Sequence, residues 1–205
     1  MSAALVWALV GAGLLMLVVR RRSAAVALVT AQSLAVAAGS LALAPGRSGE
    51  FLVASLALAG RAVALAALLG VAVVRTREVR PVRDDAPAIL RFGGGVALVL
   101  AMIALLPPLG LETSAAEQGA VALVALGIAL VVSRRATLFQ VLGLLVAENG
   151  IAVAAASVSG GLPILIELGT AFDLILLVAV ATVFHERIFG AFGTTDTAAL
   201  EGLHD

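Results

Sequence analysis

The sequence predicts an all-α, polytopic membrane protein of seven transmembrane helices, built as tandem three-helix repeats with a linking helix. Three observations predict it: the composition, the length of the apolar runs and the placement of the arginines. The chain has 205 residues, of which 62% are hydrophobic and 13% charged. That balance is far outside the range of soluble domains. Cysteine is absent, which excludes a disulfide framework, thiolate zinc and cysteine-held iron–sulfur clusters in this chain. Thirteen basic and 13 acidic residues cancel, so net charge offers nothing to nucleic acid, and the partner that composition implies is the lipid bilayer.

Taken in order, residues 3–19 are apolar, with no positive residue ahead of them and Arg20, Arg21 and Arg22 directly after. A secretory signal has the reverse order, so a retained first span with its N-terminus outside is expected. A second span covers residues 24–44 and stops at Pro45-Gly46. The third, 51–74, runs into the charged stretch RTREVRPVRDDAP. The fourth, 88–106, breaks at Pro107-Pro108, and the fifth covers 115–132. The sixth and seventh, 136–157 and 163–185, form a hairpin around Ser159, Gly160 and Gly161, with Pro163 suited to a first helical turn. Each run is near the ~20 residues that a spanning helix needs. Seven spans threaded this way place Arg20 to Arg22, the arginines from Arg75 to Arg91, and Arg134, Arg135 and Arg187 on the cytoplasmic side, with Arg47 outside and Arg61 within a span. This satisfies the positive-inside rule and predicts a multi-pass protein of the inner (cytoplasmic) membrane with a cytoplasmic C-terminus.

Shifting the chain by 112 residues places Arg22 on Arg134, Arg75 on Arg187 and Arg61 on Asp173. The expected organisation is therefore a first three-helix repeat (1–75), a cytoplasmic loop and linking helix (76–112), a second repeat (113–189) and a cytoplasmic tail (190–205). A single intervening helix makes the repeats parallel. In the tail, Thr195 or Asp196 could cap a short helix carrying Leu200 and Leu203 on one face.

Two carboxyls dominate the second repeat. A hairpin this tight lays its helices side by side, and Glu148 and Asp173 stand about 12 residues either side of the turn, or roughly 18 Å along a helix. Both then lie near the middle of a hydrocarbon core about 30 Å thick. An ionised group there costs about 2.5 to 3.5 kcal/mol on insertion scales. Carboxyls in apolar surroundings can hold a proton near neutral pH and pass it to water or a neighbour, so a proton pathway is the default hypothesis. The plain alternative is a protonated carboxyl that hydrogen-bonds across helices and carries nothing.

Other candidates gather around this pair. Arg61 lies mid-span and needs an acid, either Glu148 or Asp173 within the bundle or one on a partner chain; Gln32 and Ser33 are possible polar neighbours. Glu167 sits in a first helical turn, where the helix dipole favours an acid, and is as well explained by capping as by ion conduction. His185, at the cytoplasmic end, suits a relay mouth or a simple interfacial anchor. Arg20 to Arg22 and the arginines from Arg75 to Arg91 read as topology signals that also meet anionic headgroups. Gly93, Gly94 and Gly95 lack a phosphate-loop context and read as close helix packing. There is no nucleophile–histidine–acid constellation and no metal-ligand spacing, so a non-catalytic chain without cofactor or metal is expected.

The stretch RRATLFQVLGLLVAENG, the following GGLPILIELGTAFDLILLVAV and the tail FGTTDTAALEGLHD resemble component E of hydrogenase-4 and formate hydrogenlyase-type membrane complexes. The last three spans also look like the K subunit of respiratory complex I and the C subunit of multisubunit sodium/proton antiporters. The likeness covers the second half, and the first half mainly by helix count and length. It implies a membrane-arm subunit that lines a lateral proton route beside antiporter-like subunits and is, by itself, no enzyme. Carried over by position, Asp173 matches the acid of the K subunit's last helix. With the Arg-Arg pairs aligned, that subunit's other acid falls at Leu145, about one turn and ~60° from Glu148. A sodium/proton antiporter assembly, a stand-alone secondary transporter with a midplane site and a structural spacer stay open as alternatives.

Overall fold

The computed structural model describes residues 1–46, 48–76, 87–158 and Val178. Within them the chain forms six α-helices: α1 (Ala3–Val18), α2 (Arg22–Leu43), α3 (Gly49–Thr76), α4 (Ala88–Leu105), α5 (Ser114–Ser133) and α6 (Thr137–Ala156). Five of them, α2 to α6, are long and apolar enough to cross a bilayer. The described elements are thus helical throughout, with the long apolar helices of a membrane protein. At 16 residues, α1 reaches about 24 Å and falls a little short of a ~30 Å hydrocarbon core. The expected seventh span and the tail lie outside the described residues, save for Val178, which is buried in the apolar core.

Helix boundaries follow local chemistry. The Ser2 side chain accepts from the Leu5 amide at 3.4 Å and Thr113 accepts from the Ala116 amide at 3.2 Å, each satisfying a first-turn donor that has no intrahelical partner. Pro45 lies in a short 3-10 turn, Ala44–Gly46, that separates α2 from α3. Pro87 immediately precedes α4, and the chain leaves the helix before Pro107-Pro108, as the missing proline N–H requires.

The most extensive packing is between α5 and α6, which meet at backbone level. A Cβ on Gly127 would lie 2.5 Å from the Gly143 carbonyl oxygen, and one on Gly143 would lie 2.8 Å from the Gly127 carbonyl oxygen. One on Gly150 would lie 2.7 Å from the Ala120 carbonyl oxygen. Small residues at such crossings let dispersion do the work that hydrophobicity cannot do inside a membrane. Around this seam α5 also packs against α1 and α4, while α2 packs against α1, α3 and α6. Leu123, Leu126, Phe139, Leu142 and Val146 form the centre of the core. Of the glycine triplet in α4, Gly95 is the one in close contact among the described residues, against Leu17; no described residue approaches Gly93 or Gly94. The expectation of close packing therefore holds for one glycine of the three, because the remaining turns of α4 are largely exposed.

Candidate functional site

Near the middle of the bundle two polar groups of α6, Glu148 and Asn149, project in directions about 100° apart, as consecutive helical residues do. Glu148 forms an ion pair with Arg61 of α3 through Oε1 and Nη1. Arg61 stands near the middle of the apolar segment Gly49–Val71, and the two side chains are only 5% and 14% exposed. Of the partners that the sequence left open for Arg61, Glu148 is thus one. The other carboxylate oxygen of Glu148, Oε2, is buried and has no hydrogen-bond partner among the described residues. A buried pair cancels the net charge that hydrocarbon penalises, whereas removing one partner leaves the other exposed to the full penalty, about 3 to 5 kcal/mol.

Asn149 turns to α2. Its Nδ2 donates to Gln32 Oε1 at 3.0 Å, and its Oδ1 accepts from Ser33 Oγ at 3.1 Å. Gln32 Nε2 in turn donates to the Leu9 carbonyl of α1 at 2.8 Å. The direction of the whole chain follows from its end: a carbonyl only accepts, so Gln32 must present nitrogen to Leu9 and oxygen to Asn149. Asn149 then offers its nitrogen to Gln32 and its oxygen to Ser33. Gln32 and Ser33 therefore serve Asn149 and Leu9, where the sequence suggested them as neighbours of Arg61. The signal that could have found this network is a Gln-Ser pair and an Asn inside apolar runs, since such groups seek one another in a membrane interior. A second polar contact, between the Ser40 and Ser55 hydroxyls at 2.7 Å, ties α2 to α3.

A third cluster lies where α1 ends. Arg134, the C-terminal cap of α5, is 1% exposed. Its Nη2 donates to the carbonyls of Leu17 at 3.1 Å, Met16 at 3.4 Å and Val19, and its guanidinium carbon sits 4.3 Å from the Phe139 ring centre. Arg91 of α4 donates from Nε to the Leu17 carbonyl at 3.0 Å. The last carbonyls of a helix lack intrahelical donors and carry its negative dipole end, so two arginines from two other helices close α1. The sequence reading sets Arg20 to Arg22 and the arginines from Arg75 to Arg91 against headgroups; the structure corrects that contact for Arg22 and Arg91, which are buried, while Arg20 and Arg21 are exposed, and of the pair after α5 it buries Arg134 and exposes Arg135.

Asp173, Glu167 and His185 lie outside the described residues. The site that the described residues assemble therefore joins Arg61 to Glu148, with the Asn149 network beside it. Among the described residues no group of three or more histidines or acids could hold a metal.

Fold and site together define a polytopic α-helical membrane protein with a charged pair inside its bundle. Neither a protein-family profile nor a solved structure matches the chain. An uncharacterized protein of Mycobacterium tuberculosis is similar to it, 32% identical over 145 residues that cover 69% of this chain and 64% of the relative. The chain thus spans less than two thirds of that relative's length.

Proposed function

We propose that the chain is a seven-span membrane-arm subunit of an ion-translocating complex of the group 4 hydrogenase or formate hydrogenlyase type. In this reading it lies in the cytoplasmic membrane, N-terminus outside and C-terminus inside, next to antiporter-like subunits, and contributes intramembrane carboxyls to a proton pathway. The observation that carries the proposal is the Arg61–Glu148 pair, buried midway along two apolar helices. A bundle needs no charge there for packing, and intramembrane ionisable residues mark ion and proton routes by default. The unsatisfied Oε2 of Glu148 leaves an acceptor to which a proton or water could be delivered. Asp173, Glu167 and His185 extend the route in this proposal, and the sequence likeness to component E supplies the class of complex.

The test is proton movement in inverted membrane vesicles that contain the assembled complex. Glu148→Gln keeps the size and removes the ionisable group, so coupled proton uptake should be lost while the complex still assembles. Asp173→Asn should behave alike. Wild-type uptake by both variants would sink the proposal and favour a spacer whose polar groups only fix packing. Sodium-dependent uptake would point instead to an antiporter assembly.

A further inference from the structure

We propose that Asn149 is the positioning residue of the Arg61–Glu148 pair: its two-point attachment to Gln32 and Ser33 sets the rotation of α6 so that the Glu148 carboxyl faces α3. The proposal rests on the proton-path reading only for the role that it gives the pair.

Helix rotation is a weakly determined quantity in a membrane, because apolar side chains on every face are about equally content in lipid. The glycine seam decides which face of α6 meets α5, and a directional contact refines how the rest of the helix is turned toward α2 and α3. Asn149 supplies two, at 3.0 and 3.1 Å, to consecutive residues of α2. One hydrogen bond would allow α6 to pivot about it. Two bonds from a single amide to adjacent positions on another helix fix both the angle and the height. The Asn149 side chain is buried, at 1% exposure, so water cannot replace these bonds.

The attachment is anchored at its far end too. Gln32 reaches the Leu9 carbonyl at 2.8 Å, close by Gly13, where a Cβ would lie 3.7 Å from Gln32 Nε2 and 2.9 Å from Leu126 Cδ1. The register of α6 is thereby referred through α2 to the backbone of α1. On the other side Gly143 and Gly150 bring α6 against the backbone of α5. With Asn149 directed at α2, the preceding residue points about 100° away, and that direction leads to Arg61. Turning α6 by one residue would put Ala147 or Asn149 opposite Arg61 in place of the carboxylate, and would break both bonds from Asn149 to α2.

The experiment is a thermal-unfolding cycle on the full chain in mild detergent. Wild type, Arg61→Leu, Glu148→Gln and the double variant are compared, first with Asn149 present and then with Asn149→Leu. With Asn149 present, Arg61→Leu should lower Tm more than the double variant does, which is the mark of coupling. In the Asn149→Leu set this non-additivity should fall to less than half. Ser33→Ala, which removes one of the two bonds, should give an intermediate value and decides the matter alone if Asn149→Leu does not fold. Undiminished coupling in either set would show that Asn149 only stabilises the bundle and would overturn the proposal, as would the absence of coupling in the native set. No step of the cycle requires ion movement, so a negative vesicle result for Glu148→Gln leaves it standing.

Discussion

Arg134 and Arg135 are neighbours with identical charge, and the structure assigns them very different energies. Replacing Arg134 with alanine removes the donor shared by the Leu17, Met16 and Val19 carbonyls and the guanidinium that lies 4.3 Å from the Phe139 ring. One Nη2 group carries two hydrogens, so at most two of the three carbonyls are well bonded at once. At about 1.5 to 3 kcal/mol for each bond to a charged donor, the lower end gives roughly 3 kcal/mol. The ring contact adds about 0.5 to 2 kcal/mol. Leu17 keeps Arg91 as a donor at 3.0 Å, which holds the total toward the lower end, about 3 to 5 kcal/mol. Arg134→Lys keeps the charge but not the planar fork, and should recover about half of this. Arg135 is exposed, so Arg135→Ala should cost less than about 1 kcal/mol. Equilibrium unfolding in mixed micelles, by circular dichroism, measures all three. Equal losses for Arg134→Ala and Arg135→Ala would refute the assignment of Arg134 to closing α1, and would return both arginines to a common role as topology signals.

Further outcomes follow from the same packing. Gly143→Leu forces a side chain toward the Gly127 carbonyl, where even a Cβ would lie 2.8 Å away; a loss of about 1 to 3 kcal/mol or more is expected, read from the same unfolding curves. Gly93→Ala meets no described residue and should be neutral or stabilising by up to about 1 kcal/mol; a marked loss would mean that this face of α4 is covered in the assembled protein. Asn149→Asp removes the donor to Gln32 Oε1 and buries a second acid, so it should cost about 3 kcal/mol or more. Asn149→Asp with wild-type thermal stability would contradict the direction deduced for the hydrogen-bond chain.

The six described helices were legible from apolar run length alone. Residues 136–157 as a sixth span and Thr137–Ala156 as α6 differ by a single residue at each end, because a long uninterrupted apolar run with a polar boundary has little else to become. Glu148 and Arg61 stood out for the same reason: a charge in such a run is conspicuous. Their pairing was legible only as one option beside Asp173 or an acid on a partner chain, since 87 residues separate them and no pattern along the chain encodes how two helices are turned toward each other. Arginines posed the reverse difficulty. Arg134 and Arg135 look alike in sequence, and only the approach of α1 makes one of them a buried donor. Gly93, Gly94 and Gly95 likewise differ only in which neighbour comes near.

The backbone-level seam between Gly127 and Gly143 has a mechanical consequence. With no flexible side chain between them to yield, α5 and α6 behave as one rigid beam, and neither can slide without lifting off the other. By contrast α3 packs on α2 and reaches α6 through the long arm of Arg61. If ion movement parts these charges, as the proposed function has it, the separation comes from α3 or from the arm of Arg61, because α6 is held to α5.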